Sequence, residues 1–268
     1  MANEPLISII MPNFNGAKYL NKSIESFLLQ DYPNKELIIV DNKSVDASHE
    51  IIQRYCSNNK EIIWIRETDK GISDAFNIGI DKSKGEIIGY LGSDDLLYKN
   101  VLDEIAYAHS WCNFDAIYFD SYSYYINDKK CVLRKCPKIE FTKENLLGYG
   151  TIVGWEDIFF KRYIYDSYRY DVNNKYGMDY EFYLRVSSEK YLYLYMDKVA
   201  TVNMMDNNIS MDFDGKQFDE ACVVAARYTQ GYDGPVYFTK KTFQKNNFQS
   251  LMKKTRQRLN KLTNWMRK

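Results

Sequence analysis

Four short apolar runs, each ending in a polar loop and separated from the next by a helix-patterned segment, limit what this chain can fold into. The runs are Leu6-Ile7-Ser8-Ile9-Ile10-Met11, Glu36-Leu37-Ile38-Ile39-Val40, Ile62-Ile63-Trp64-Ile65 and Gly85-Glu86-Ile87-Ile88-Gly89-Tyr90-Leu91. Between the first two, Leu20, Ile24, Phe27 and Leu28 recur at helical spacing, which predicts a helix from about Ala17 to Gln30. A second helix carries Ile51, Ile52 and Tyr55, capped by Ser44 or Asp46, and a third carries Ala75, Phe76, Ile78 and Ile80. Strands alternating with helices describe successive βαβ units and hence a parallel sheet with right-handed crossovers. Ligands of such sheets bind outside the carboxyl ends of the strands. Phe14, Asp41, the Glu67 to Asp74 segment and Asp94-Asp95 are therefore expected to converge on one edge.

The fourth loop carries the strongest chemical signal. Two adjacent carboxylates, Asp94 and Asp95, follow a run rich enough in apolar residues to be buried. They repel each other, and a divalent cation bridging to a diphosphate neutralises the pair. Taken alone, Ser93-Asp94-Asp95 reads more readily as a capped turn. Neither the Gly-x-Gly-x-x-Gly dinucleotide fingerprint nor the Gly-x-x-x-x-Gly-Lys-Ser/Thr phosphate loop occurs. A nucleotide would then need other handles: an aromatic ring, a carboxylate for base or ribose, and a metal for the diphosphate.

Charge and cysteine usage narrow the classes further. The 36 basic and 36 acidic residues balance, which argues against nucleic acid as a partner. Five cysteines, odd in number and without Cys-x-x-Cys spacing, indicate neither a disulfide framework nor a zinc site, and suggest a reducing compartment. No signal segment or membrane-spanning run is legible, so the expectation is a cytoplasmic chain, free or peripheral at the inner face of the cell membrane. The balance conceals an asymmetry. From Val236 to Lys268 there are ten Lys or Arg and no Asp or Glu, which leaves 26 basic against 36 acidic residues elsewhere. Apolar residues in that tail recur at helical spacing, so it reads as a basic amphipathic helix suited to an anionic membrane surface or to the acidic body. Deleting residues 240–268 is expected to abolish liposome binding if the membrane reading holds; unchanged binding would remove it.

In the second half, Ala116-Ile117-Tyr118-Phe119 reads as a strand leading to a hairpin turn at Asn127-Asp128-Lys129-Lys130, and a short helix begins near Gly177. The expected organisation is a nucleotide-binding half (1–115), an acceptor-binding half of the same domain (116–235) and the C-terminal helix (236–268).

Four stretches in order, Pro12-Asn13-Phe14-Asn15, Val40-Asp41-Asn42-Lys43-Ser44, Asp69-Lys70-Gly71-Ile72-Ser73-Asp74 and Gly89-x-Leu91-Gly92-Ser93-Asp94-Asp95, resemble the family 2 glycosyltransferases of the GT-A fold, of the bacterial polysaccharide and O-antigen kind. The resemblance is dense over the first 100 residues or so and thin to about residue 210. It implies an α/β GT-A architecture, with a mostly parallel sheet flanked by helices and an acceptor-side α+β region. It also implies an inverting, metal-dependent enzyme moving a sugar from a nucleoside-diphosphate-sugar, by default a uridine one, to a hydroxyl of a glycan or polyprenyl-linked glycan. Carried over residue by residue, Pro12, Phe14, Asn15, Asp41, Lys70, Asp74 and Asp94 would bind the donor. Asp95 with Asp94 would hold Mn2+ or Mg2+. Asp179, in the pattern Asp-x-x-x-x-x-Arg, would be the general base. Where relatives often carry His-Gln, this chain has Trp155-Glu156, assigned to the acceptor side, and Glu156 or Asp157 competes with Asp179 as base. The alternatives are a catalytically silent sugar-nucleotide- or glycan-binding module and a sugar-nucleotide nucleotidyltransferase, whose glycine- and arginine-rich first loop is absent.

Overall fold

The computed structural model describes residues 4–206 and 215–239. In chain order the elements are β1 (Ile7–Asn13), α1 (Ala17–Leu28), β2 (Lys35–Asp41), α2 (Ser48–Asn58), β3 (Ile62–Arg66), α3 (Ile72–Lys82), β4 (Ile87–Tyr90) and β5 (Leu96–Leu97). They continue as α4 (Val101–Trp111), β6 (Ala116–Tyr125), β7 (Lys130–Arg134), α5 (Lys143–Tyr149), β8 (Ile158–Lys161), α6 (Ile164–Ser167), α7 (Met178–Val186), β9 (Tyr193–Met205) and α8 (Lys216–Tyr228).

These strands form one sheet in the order β3-β2-β1-β4-β8-β6-β9-β5, with β7 added beside β6. The first four are parallel, as the βαβ pattern requires. Beyond β4 the pairing is mixed: β8 runs antiparallel to both β4 and β6, while β9 runs parallel to β6 across a bulge near Asp120. The two halves expected from the sequence therefore share one sheet, and the hairpin expected at residues 127–130 is the β6–β7 connection.

Strand alternation sends side chains to two faces, each covered by helices. Ile9, Met11, Leu37 and Ile39 pack with Leu20, Ile24 and Phe27 of α1 and with Leu102 and Ile105 of α4. Ile10, Ile38, Val40 and Tyr90 pack with Phe76 and Ile80 of α3 and with α7 and α8. Each fully buried Ile or Phe contributes about 1.5–3 kcal/mol. Gly89 in β4 has a steric cause, because a Cβ there would lie 2.2 Å from the Phe159 ring of β8. That glycine lets the antiparallel strand close onto the parallel half.

Among the described residues no helix is long and apolar enough to cross a membrane, and no disulfide joins any of the five cysteines. Val236 to Thr239 are irregular rather than helical and pack on the body, with the Tyr237 N–H donating to Leu147 O at 2.8 Å. The basic amphipathic segment read from residue 240 onward lies outside the described residues.

Candidate functional site

The four strand-end loops are tied to one another. Asn13, the last residue of β1, donates through Nδ2 to Asp41 Oδ1 at 2.8 Å and to Ser44 Oγ at 3.1 Å. Asn15 holds a left-handed backbone (φ 53°); its N–H donates to Ser44 Oγ, and its Oδ1 accepts from the Val45 N–H. The second and third loops are joined by a reciprocal pair: Asn42 Nδ2 donates to Asp69 Oδ1 at 3.0 Å and the Asp69 N–H returns to Asn42 Oδ1 at 3.2 Å. First and fourth meet at Gly16, where a Cβ would sit 2.7 Å from Ser93 Oγ. The first three loops are thus joined by hydrogen bonds, and the fourth lies against the first at Gly16.

Along this edge the residues differ in what they offer a ligand. Pro12 lies within β1 opposite Val40. Phe14 stands just beyond it with 65 % of its surface exposed, an unusual position for a phenyl ring in a protein with a well-formed core. Asp41 is fully buried, accepts from Asn13 and Ser44, and faces Arg66 Nε at 3.9 Å. Beside it, Asn13 Oδ1 is buried and has no hydrogen-bond partner among the described residues. Asn13 stands in the first motif, but nothing in the sequence alone gives it a role. In the third loop the Lys70 N–H donates to Asp74 Oδ2 at 2.9 Å, which caps the loop while the Lys70 side chain stays exposed.

The fourth loop is a turn crowded with carboxylates. A Cβ on Gly92 would lie 2.9 Å from each of Asp94 Oδ1, Asp95 Oδ2 and Glu156 Oε1, so three acids close around one backbone position. Asp95 is 6 % exposed and its Oδ1 accepts from the Met204 N–H at 2.5 Å, whereas Asp94 is half-buried. Burial, with the neighbouring Asp94 charge, pushes the Asp95 carboxyl up to about 7. Glu156 is raised well above the usual carboxylate range by burial and by Asp95. Such a cluster favours bound protons or a cation. Among the described residues no three His, Cys, Asp or Glu side chains are arranged as a metal cage. An all-oxygen pair at a strand carboxyl end nevertheless suits Mg2+ or Mn2+, which is commonly held by one or two carboxylates and completes its shell with substrate phosphates and water. Asp94 and Asp95 fit that role, with Asp94 the more accessible.

Of the pair expected on the acceptor side, Trp155 is half-buried and Glu156 is buried. Glu156 lies buried beneath the carboxylate turn, accepting from the Gly92 N–H at 2.5 Å and from Asn203 Nδ2 at 2.6 Å. Its neighbour Asp157 is buried too and accepts from Thr201 Oγ1 at 2.5 Å. Both carboxylates therefore brace the turn and the sheet behind it. The Trp155 ring packs 5.1 Å from Phe76.

From Phe76 the aromatic contacts continue to Tyr170 (5.1 Å) and on to Phe182 of α7 (4.5 Å). They connect the fourth-loop region to the helix that bears Asp179. Asp179 is the second residue of α7 and 8 % exposed; its Oδ1 accepts from the Tyr180 N–H at 2.8 Å. Burial pushes its carboxyl up to about 6, a range suited to general-base work near neutrality. Arg185, the end of the Asp-x-x-x-x-x-Arg pattern, pairs instead with Glu181 at 2.6 and 2.8 Å.

A cavity of about 880 Å3 lies at the other end of the sheet, lined by Glu4, Lys84, Glu86, His109, Lys161 and Arg162 among others. Its principal charges are already paired, Lys161 Nζ with Glu86 at 2.6 Å and with His109 Nδ1 at 2.8 Å. The buried Asn13 Oδ1, without a hydrogen-bond partner among the described residues, lies at the opposite, strand-carboxyl end.

The fold has parallels among solved structures. Residues 1–349 of S. aureus TarS, crystallised with UDP-GlcNAc, superpose with a TM-score of 0.65 at 17 % identity, covering 85 % of this chain and 67 % of that one. The Pyrobaculum calidifontis mannosyltransferase PcManGT, in complex with GDP-Man and Mn2+, gives 0.64 at 17 % identity, covering 87 % and 66 %. At such identity the likeness establishes the architecture, which is the GT-A fold. A Haemophilus influenzae protein described as an uncharacterized glycosyltransferase is 43 % identical over 103 residues, covering 38 % of this chain and 41 % of its own length. A Rickettsia typhi protein of the same description is 31 % identical over 199 residues, covering 69 % and 60 %. The chain thus spans about half the length of these curated relatives. The model of the family described as "Glycosyl transferase family 2" matches residues 8–169, more than half of the chain, and the chain belongs to that family.

Proposed function

We propose that this chain transfers a sugar from a nucleoside-diphosphate-sugar to a hydroxyl group of a glycan or lipid-linked glycan, with inversion at the anomeric carbon. The observation that carries the reading is the single polar edge on which exposed Phe14, buried Asp41 and the Asp94-Asp95 pair are held together by direct contacts between loops. Phe14 offers its face to the base. Asp41, with the unpartnered Asn13 Oδ1 beside it, accepts from base N–H groups. Asn15, Lys70 and Asp74 shape the loops around the donor, and Asp94 and Asp95 hold the cation. A divalent cation supplies charge neutralisation of the diphosphate when bound. The complexes of TarS with UDP-GlcNAc and of PcManGT with GDP-Man and Mn2+ support a donor and cation of these classes.

In the transfer step Asp179 takes the proton of the acceptor hydroxyl while that oxygen bonds to the anomeric carbon. The bond from that carbon to the diphosphate breaks on the opposite side, and the electron pair leaves with the diphosphate. Tyr170, stacked on Phe182 of α7, faces Asp179, and burial keeps that carboxylate basic.

A thermal-shift screen of UDP, GDP, CDP and dTDP and their sugars, with and without Mn2+, tests the reading. One base series is expected to raise the unfolding midpoint with metal, since a ligand at 100 times its Kd adds about 2.7 kcal/mol to the native state. No shift with any of them would overturn it. Within that series Phe14→Ala is expected to weaken donor binding by about 1–3 kcal/mol, the usual value of a base–aromatic stack, without lowering the midpoint of the free protein. Calorimetric titration checks both; unchanged affinity would remove Phe14 from the site.

A further inference from the structure

Helix α7 begins without a cap of its own. Its N-cap residue is Gly177, which has no side chain to bond the free N–H groups of the first turn. The cap comes from elsewhere in the chain. Glu220 of α8 reaches across and accepts three consecutive backbone N–H groups: Lys175 through Oε1 at 2.9 Å, and Tyr176 and Gly177 through Oε2 at 2.5 and 2.6 Å. The approach is close, since a Cβ on Gly177 would lie 3.6 Å from the Ala221 backbone N and 3.7 Å from Glu220 Oε2. A carboxylate over a helix N-terminus gains from the dipole and from charge-assisted bonds at once.

The rest of α8 fixes the same helix. Ala221, Val224 and Ala225 are buried in the core cluster with Met178, Tyr180 and Phe182, and Tyr228 Oη donates to Glu181 Oε1 at 3.3 Å. Two residues after Gly177 stands Asp179. We propose that Glu220 is a positioning residue for Asp179: by holding the three backbone N–H groups of residues 175–177 that lead into α7, it lets α8 fix the place of the acid–base group. The inference rests on Asp179 being that base. The groups facing Asp179 are Tyr170 from the connection before α7, Tyr183 one turn further along α7, and Glu220 from α8. Among these, Glu220 is the carboxylate, and its charge opposes ionisation of Asp179.

The test follows the Asp179 carboxyl carbon by 13C NMR between pH 4 and 8 in the full chain, with the signal assigned by its absence in Asp179→Asn. In Glu220→Gln the midpoint is expected to fall below about 6, because a charge that opposes ionisation is removed. Amide exchange at residues 175–177 is expected to quicken in the same variant. Turnover with the donor found by the binding screen should drop about 10- to 100-fold with little change in donor KM, because small displacements of a reacting group cost that much. Faster exchange with an unmoved midpoint would make Glu220 a structural cap only and overturn the proposal. An unmoved midpoint with unmoved exchange overturns it as well. Glu220→Asp, which keeps the charge but shortens the reach, should retain most of the wild-type midpoint. Failure of the base reading shows separately, as full turnover by Asp179→Asn.

Discussion

Asp179→Asn is expected to lower sugar transfer by ~10²–10⁴-fold while the donor dissociation constant stays at its wild-type value. The substitution is isosteric, and the amide oxygen can still accept the Tyr180 N–H that Asp179 Oδ1 accepts now. What disappears is the ability to take a proton. In the wild type the rate should rise with pH through about 6 as the buried carboxyl ionises, and that limb should vanish in the variant. Stability moves the other way. Because the folded pKa is raised, the native state binds the proton more tightly than the unfolded chain, so stability is fully present below the unfolded value near 3.8 and is lost as pH rises through about 6. Asn carries no such penalty, so at pH 7–8 the variant should melt no lower than wild type. Comparable turnover in wild type and variant would assign the proton transfer to another group.

The second large effect is expected at the carboxylate turn. Asp94→Asn should weaken donor binding in Mn2+ by about 10- to 100-fold, in line with the usual strength of an interaction with a charged group, and chelation of the cation should weaken wild type to a similar degree. The two effects should not add, because they remove the same interaction. Asp95 accepts the Met204 N–H and presses on Glu156, so its replacement would also disturb the turn itself. With one charge fewer in a crowded acidic turn, the ligand-free variant should be no less stable than wild type. Calorimetric titration with and without chelator measures both. Additive effects would separate Asp94 from the cation.

The parallel half of the sheet and its loop edge were legible because their signals are local. Each of β1 to β4 is a short apolar run, each following loop holds its polar residues within a few positions, and the first helix was placed within two residues of its observed end at Leu28. What was not legible depends on residues far apart in sequence. β8 inserts between β4 and β6 through pairings that no local pattern marks, and β9 carries Asp197 and Lys198 in a strand whose outer positions are solvated. Glu156 sits 64 residues from the Gly92 N–H it accepts, so its place in the family pattern suggested an acceptor face, while the fold also sets it beneath the carboxylate turn. Glu220 lies more than 40 residues beyond the three N–H groups it caps. In both cases only tertiary contact brings the carboxylate to its backbone partners.

Hydrogen exchange measured residue by residue, with and without the nucleoside diphosphate selected in the screen plus Mn2+, tests the location of the donor most directly. Protection is expected together at residues 13–16, 41–46, 67–74 and 92–95, the four loops joined by Asn13, Asn42 and Gly16. Protection centred instead on Lys84 to Glu86, His109 to Asp115 and Lys161 to Tyr163, around the cavity at the opposite end of the sheet, would contradict the assignment of the strand-end edge as the donor site.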